Sequence, residues 1–139
     1  MKPITELIPH RDPFLFVDRL EVVSKERIVG YRTYTDKEFF FAGHFPTYPV
    51  VPGVILVETL AQCGGAGIGE LGILGDNLFF LASVTNVKFR RQVRPNEEVR
   101  LEVENDRISA RMVRQHGIAY VGDEVAAEAE WMCMVGGSL

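Results

Sequence analysis

The sequence predicts an α+β fold in which one antiparallel sheet curls around one long central helix. Three observations predict it. The stretch from Val54 to Cys63 is apolar on nearly every helical face. Two strand-like runs precede it, and about four follow it with no second helix among them. A helix apolar all round needs cover all round, and one curled sheet is the economical cover.

The elements follow in chain order. Pro3 to Pro13 is irregular, because Pro9 and Pro13 block regular structure. Phe14 to Val23 is apolar with Asp18, Arg19 and Glu21 interspersed, and reads as a strand. Ser24-Lys25-Glu26 is a polar turn, and Arg27 to Tyr34 alternates as a second strand pairing with the first. Phe39 to Pro52 is a loop with three prolines and one glycine. The helix starts near Gly53, where Pro52 suits the first turn because its missing N–H leaves nothing unsatisfied. Glu58 and Gln62 are its two strongly polar side chains up to Cys63; four apart, they share one face. Gly64, Gly65, Gly67 and Gly69 weaken its second half or admit a close neighbour, and its end falls between Gly64 and Leu71. Strands are then expected over Leu78 to Arg90, Val99 to Arg107, Ser109 to Gln115 and Val125 to Val135. The polar breaks between them are Pro95 to Glu98, Asn105-Asp106, His116-Gly117 and Gly122-Asp123. In the last strand Ala127, Ala129, Trp131 and Cys133 alternate with Glu128, Glu130 and Met132.

At 139 residues the chain has the size of one domain, and the whole of 1–139 is expected to be one. A 47% hydrophobic share supports a real core, and a 24% charged share is ordinary for a soluble protein. The net charge of −4 argues against a general nucleic-acid binder. Lys2 is followed by Pro3, Thr5 and Glu6, which is no secretory signal, and no run reaches the ~18–20 apolar residues that span a bilayer. The expected location is the cytoplasm, with Cys63 and Cys133 reduced. The apolar helix needs more cover than one subunit's sheet supplies, so a second subunit is expected to help.

Chemistry concentrates between Phe40 and Glu58. The segment holds one histidine, His44, in a proline-fixed loop, then opens the helix that carries one carboxylate, Glu58. An imidazole that accepts a proton and a carboxylic acid that donates one are the parts needed to add or remove water. His44 as base must be neutral and Glu58 as acid must be protonated; an apolar channel favours both. The histidines His10, His44 and His116 are far apart with no metal-like spacing. On their own, His10 reads as a loop-packing residue and His116, beside Gly117 at a turn, as solvated. The helix start offers unpaired N–H groups with partial positive charge; the Gly53 N–H, with no side chain beside it, suits a substrate oxygen that gains negative charge. Gln62 suits the orientation of Glu58 or of a water.

Three stretches carry a resemblance: Ile8-Pro9-His10-Arg11-Asp12-Pro13-Phe14-Leu15-Phe16-Val17-Asp18, then Phe40 to Gln62, then Phe89-Arg90-Arg91-Gln92-Val93-Arg94-Pro95. In the second, Gly43-His44-Phe45-Pro46, Pro49-Val50-Val51-Pro52-Gly53, Glu58 and Ala61-Gln62 keep a specific spacing. The chain resembles the β-hydroxyacyl-acyl-carrier-protein dehydratases of the FabZ type, collinearly over nearly its whole length. The resemblance implies a hotdog fold and a homodimer pairing its sheets edge to edge, in this family often assembled as a trimer of dimers. It implies dehydration of (3R)-3-hydroxyacyl thioesters on acyl carrier protein in fatty acid biosynthesis, without metal, organic cofactor, nucleic acid or membrane. It makes His44 and Glu58 the catalytic pair, the His of one subunit facing the Glu of the other. Gly53, Gln62, Phe45 and Val51 become substrate-binding positions. The chain departs from the family where Val51 replaces a usual Met, at Asp36-Lys37, and at Asn96-Glu97 in place of a Gly-Asp turn. A related dehydratase-isomerase branch carries Asp where Glu58 stands, so Glu58 points to simple dehydration.

Lys88, Arg90, Arg91 and Arg94 form a basic run in an acidic chain, with Arg90 and Arg94 expected on one strand face and Arg91 on the other. They read either as a solvated edge or as a dock for the acidic carrier protein. Two other functions fit parts of the pattern: a hotdog acyl thioesterase, which would leave His44 without a task, and a dehydratase of a specialised polyketide or lipid pathway.

Overall fold

The computed structural model describes residues 1–43 and 47–138. Six strands form one antiparallel sheet: β1 (Arg19–Val23), β2 (Arg27–Thr33), β3 (Asn77–Phe89), β4 (Glu98–Ile108), β5 (Met112–Val121) and β6 (Glu124–Ser138). Their spatial order is β1-β2-β4-β5-β6-β3, so β1 and β3 are the edges. The helix α1 (Gly53–Leu71) lies against the sheet and ends at Gly72, whose φ of 69° is the left-handed turn a glycine adopts without strain. Leu60, Cys63 and Ala66 on α1 are fully buried, as are Val99, Leu101, Ala119 and Ala127 on the sheet. By length and composition α1 could cross a bilayer, with a mean hydropathy of 1.2, but most of it is enclosed by the fold as the core helix.

The first strand is shorter than its apolar run, for a reason visible on α1. The backbone from Phe14 to Phe16 is taken by a helix side chain. Gln62 Oε1 accepts from the Phe16 N–H at 2.8 Å, and Gln62 Nε2 donates to the Phe14 carbonyl at 3.0 Å. That segment crosses the helix, burying Phe16 and Val17, and joins the sheet only when the Asp18 N–H reaches Tyr31 O at 2.8 Å. Arg32 fastens the junction by pairing with Asp18 at 2.9 Å and with Glu38 at 2.8 Å. The loop beyond Glu38 contains one helical turn, Phe39–Phe41, with Phe40 and Phe41 buried among Phe16 and Tyr34.

The β4 and β5 boundaries correct the sequence reading. Asn105-Asp106 is an irregularity within β4, where the register with β5 shifts between Asn105 and Arg107. His116-Gly117 is no turn but the middle of β5, with Gly117 opposite Val103 on one side and Ala129 on the other. Glycine is there to make room. A Cβ at 117 would meet Trp131 at 2.8 Å, Glu102 O at 3.2 Å and Leu60 at 3.2 Å. His116 therefore projects from mid-strand, between Asp106 at 2.8 Å and Glu104 at 3.1 Å. The hydrogen bond with Asp106 is the main cause that raises its pKa. The β5–β6 turn is made instead by Gly122, at φ 60°. In β6 the expected alternation holds: Ala127, Ala129, Trp131 and Cys133 are buried, while Glu128, Glu130 and Met132 are not.

The space at residue 117 makes a test of the packing. Gly117→Ala should lower stability by about 1–3 kcal/mol through overpacking against Trp131 and Leu60, read as a reduced denaturant midpoint. An unchanged midpoint would show that the sheet gives way there without cost.

Candidate active site

Glu58 lies in the second turn of α1 and opens onto a cavity of about 280 Å³ between the helix, β3 and the N-terminal segment. Its Oε2 accepts from Gln62 Nε2 at 2.9 Å. Gln62 is 2% exposed, and its other bonds go to the backbone of Phe14 and Phe16. The amide is thus held at both ends, with its oxygen on an N–H and its nitrogen between a carbonyl and the carboxylate. Placing Glu58 and Gln62 one turn apart is what lets the second fix the first.

His10 is the residue that sequence reasoning missed. It lines the same cavity, and its Nε2 stands 3.5 Å from Glu58 Oε2. Its Nδ1 is buried without a hydrogen-bond partner among the described residues. Arg11 anchors the loop that presents it, donating to the carbonyls of Ile8 at 3.0 Å, His10 at 2.7 Å and Thr5 at 2.9 Å. The proline-bracketed Ile8 to Pro13 segment was a signal for a fixed loop, but nothing local to it indicates that Glu58 lies opposite.

His44 and Phe45 lie outside the described residues. The chain on either side is fixed: Phe40 and Phe41 are buried before it, and Val50 and Val51 after it. The Val51 N–H donates to Val93 O at 2.8 Å. Gly53 begins α1 with the Phe89 ring seated on it; a Cβ at 53 would lie 2.6 Å from that ring. This seat supplies a packing reason for glycine at the helix start.

Most of the rest of the cavity wall is apolar, including Ile8, Ile68, Phe79, Leu81 and Val113, and Asn77 and Gln115 line it as well. Cys133 also lines it. Burial, with a lesser contribution from the charge of Glu58, pushes this thiol up to about 11, and burial pushes Cys63 up to about 12. Both are unbridged. Among the described residues no three His, Cys, Asp or Glu side chains gather to hold a metal ion.

The basic run departs from its expected strand faces. β3 ends at Phe89, so Arg90, Arg91 and Arg94 lie in the connection to β4. The Arg90 N–H donates to Ala126 O, which ends the ladder. Arg90 pairs with Glu128, and Arg91 with Glu97 at 2.8 Å and Glu124 at 3.4 Å. The Arg91 hydrogen bonds hold the Glu97 carboxyl below the usual carboxylate range. Arg94 stacks 4.3 Å over the Tyr48 ring, and Lys88 and Arg94 have no carboxylate within pairing distance among the described residues.

Comparisons with known proteins agree with this architecture. The chain is 44% identical over 133 residues to a 3-hydroxyacyl-[acyl-carrier-protein] dehydratase FabZ of Pelotomaculum thermopropionicum, covering 95% of each. It is 45% identical over 131 residues to the protein of that name from Bacillus cereus, covering 94% of this chain and 91% of the relative. Among solved structures it is similar to the dehydratase heterocomplex ApeI:P of Xenorhabdus doucetiae, with a TM-score of 0.84 at 14% identity over 99% of this chain and 93% of that one. A thioesterase-like protein of Ralstonia eutropha shares the hotdog arrangement at a TM-score of 0.67 and 17% identity, over 84% of this chain and 83% of that one. At such identities these two likenesses speak to the fold. A model of the FabA-like domain matches residues 8–130, and with relatives this similar over nearly their whole length, the chain belongs to the FabA-like family.

Proposed function

We infer that the protein is a hydro-lyase that dehydrates (3R)-3-hydroxyacyl-[acyl-carrier-protein] to the trans-2-enoyl thioester in fatty acid biosynthesis. The observation that carries this reading is Glu58: one carboxylate, oriented by Gln62, at the polar end of a largely apolar cavity, in a chain 44% identical to a FabZ dehydratase. His44 takes the C2 proton, and the electron pair of that C–H bond forms the C2–C3 double bond. The C3–O bond breaks as Glu58 delivers its proton to the departing hydroxyl, which leaves as water. Proton return from the imidazolium to the carboxylate, directly or through that water, resets the pair. Gln62 acts as a positioning residue: its amide holds the Glu58 carboxyl toward the cavity. The N-terminal N–H groups of α1 carry partial positive charge suited to the developing oxyanion of the thioester. Val51 and Phe45 belong to the substrate-binding wall in this reading, and the site of action is the cytoplasm.

The edge strand supports a homodimer. β3 is 13 residues long, and along it Phe80, Leu81, Val84, Val87 and Phe89 are all more than a third exposed. A long apolar edge with unpaired backbone groups is a template for a second strand, and a copy of β3 across a two-fold axis satisfies both edges at once. In this reading His44 of one subunit faces Glu58 of the other, and three dimers assemble as a hexamer. Lys88 and Arg94, neither within ion-pair distance of a carboxylate among the described residues, are the better candidates for docking the acidic carrier protein; Arg90 and Arg91 are engaged by their own glutamates.

Three outcomes are expected. Glu58→Gln and His44→Ala should each lower dehydration of a hydroxyacyl thioester by roughly 10²-fold or more while thermal unfolding stays near that of the parent. Near-normal turnover by either variant removes it from the pair. Val84→Lys with Val87→Lys should weaken self-association at least about tenfold in sedimentation velocity, and a parent protein monomeric at micromolar concentration contradicts the dimer. Arg94→Glu should raise KM for the carrier-bound substrate several times more than for a small soluble thioester. Equal effects on both would mean that Arg94 serves only its stack on Tyr48.

A further inference from the structure

Four glycines lie in the second half of α1, and the fold explains three of them by packing. A Cβ on Gly64 would meet the Gln115 amide at 2.2 Å, one on Gly67 the Ile28 side chain at 2.3 Å, and one on Gly69 the carbonyl oxygen of Leu7 at 2.8 Å. Gly65 differs. Its nearest neighbours in that direction, Ile8 Cγ2 and Phe79 Cδ2, are 3.8 and 3.9 Å away, and it lines the cavity that holds Glu58. Packing does not require a glycine at 65. Helix stability disfavours one, because glycine is a poorer helix former than alanine.

Glu58, Ala61, Gln62, Gly65 and Ile68 all line the cavity and follow one face of α1. At the rise of an α-helix, Gly65 stands about 10 Å beyond Glu58 along the axis. The polar lining gathers at the Glu58 end, with His10 and Gln62. Beyond it come Ile8, Ile68, Phe79 and Val113. The polar groups that do occur there are turned to other work. Gln115 donates to Gly64 O and Asn105 Oδ1 and accepts from Trp131 Nε1, while Asn77 donates to Leu74 O. An apolar chain passing this stretch meets the Gln115 amide with its oxygen and nitrogen already engaged.

We propose that Gly65 is a specificity-determining residue whose bare α-carbon keeps the groove open for long acyl chains between Ile8 and Phe79. The inference rests on the dehydratase reading, with the reacting carbons at Glu58. A short acyl chain ends before Gly65, and a long one crosses it. Alanine adds one carbon to the groove wall and leaves the fold unclashed. Leucine fills the passage.

The test is the acyl-length profile of Gly65→Ala and Gly65→Leu, measured as kcat/KM on 3-hydroxyacyl thioesters from four to sixteen carbons, alongside thermal unfolding. For four- and six-carbon substrates both variants should stay within about twofold of the parent; for fourteen- and sixteen-carbon substrates Gly65→Leu should lose at least about tenfold, and Gly65→Ala less. The Ala variant should unfold at the same temperature as the parent or higher, and it carries the test if the Leu variant does not fold. Uniform loss at all lengths, an unchanged profile in folded variants, or a parent that already rejects long chains each overturns the role of Gly65 while leaving dehydration intact. A parent inactive at every length removes the dehydratase reading, and this inference with it.

Discussion

The structure turns on the amide of Gln62. It lies in the core and bonds to three groups from two parts of the chain: the backbone N–H of Phe16, the carbonyl of Phe14 and the carboxylate of Glu58. Leaving a buried amide unsatisfied costs on the order of 1–3 kcal/mol per group, so the N-terminal segment is held across the helix rather than running on into the sheet. That crossing brings His10 over Glu58 and closes one wall of the cavity. One side chain therefore fixes where β1 begins, which way the carboxylate points and what faces it.

Around this knot the fold divides its labour. The inner faces of β4, β5 and β6 cover α1 with valine, alanine, leucine and one tryptophan, and the fit is close enough that Gly117 has no room for a methyl group. The other flank of α1, toward β3 and residues 7–10, contains the cavity. A helix apolar all round is thus sealed against the sheet on one side and left available to an apolar ligand on the other. This is the arrangement a site needs if water is to be kept from acid–base chemistry.

Much of this was legible in the sequence, and the reasons are physical. The helix and β6 announced themselves because their periodicities are undisturbed: up to Cys63, Glu58 and Gln62 are the only strongly polar side chains on the helix, and Ala127 to Cys133 alternate without a break. β5 was truncated because His116-Gly117 carries the composition of a turn, whereas the glycine answers to Trp131 and Leu60 from other elements. The first strand was overextended because the competitor for its backbone is a side chain 46 residues away. The same holds for the site. Glu58 and Gln62 could be paired from helical spacing, but His10 meets Glu58 only through the tertiary crossing, and a local pattern cannot express that. The basic run looked like a strand because its apolar neighbours continue β3, while the glutamates that occupy Arg90 and Arg91 sit on β6 and in the connection just before β4.

The ladder between β3 and β6 loses its regular step between Leu81 and Ser83 and again between Thr85 and Lys88, where Asn86 adopts a φ of 52°. Each interruption tilts the next few outward-facing peptide groups, so the free side of β3 is a broken comb rather than an even one. A stray extended peptide can match only a few teeth before it falls out of step. For the homodimer proposed above, the irregularity favours a strand carrying the same interruptions over the unbounded stacking that a straight apolar edge invites.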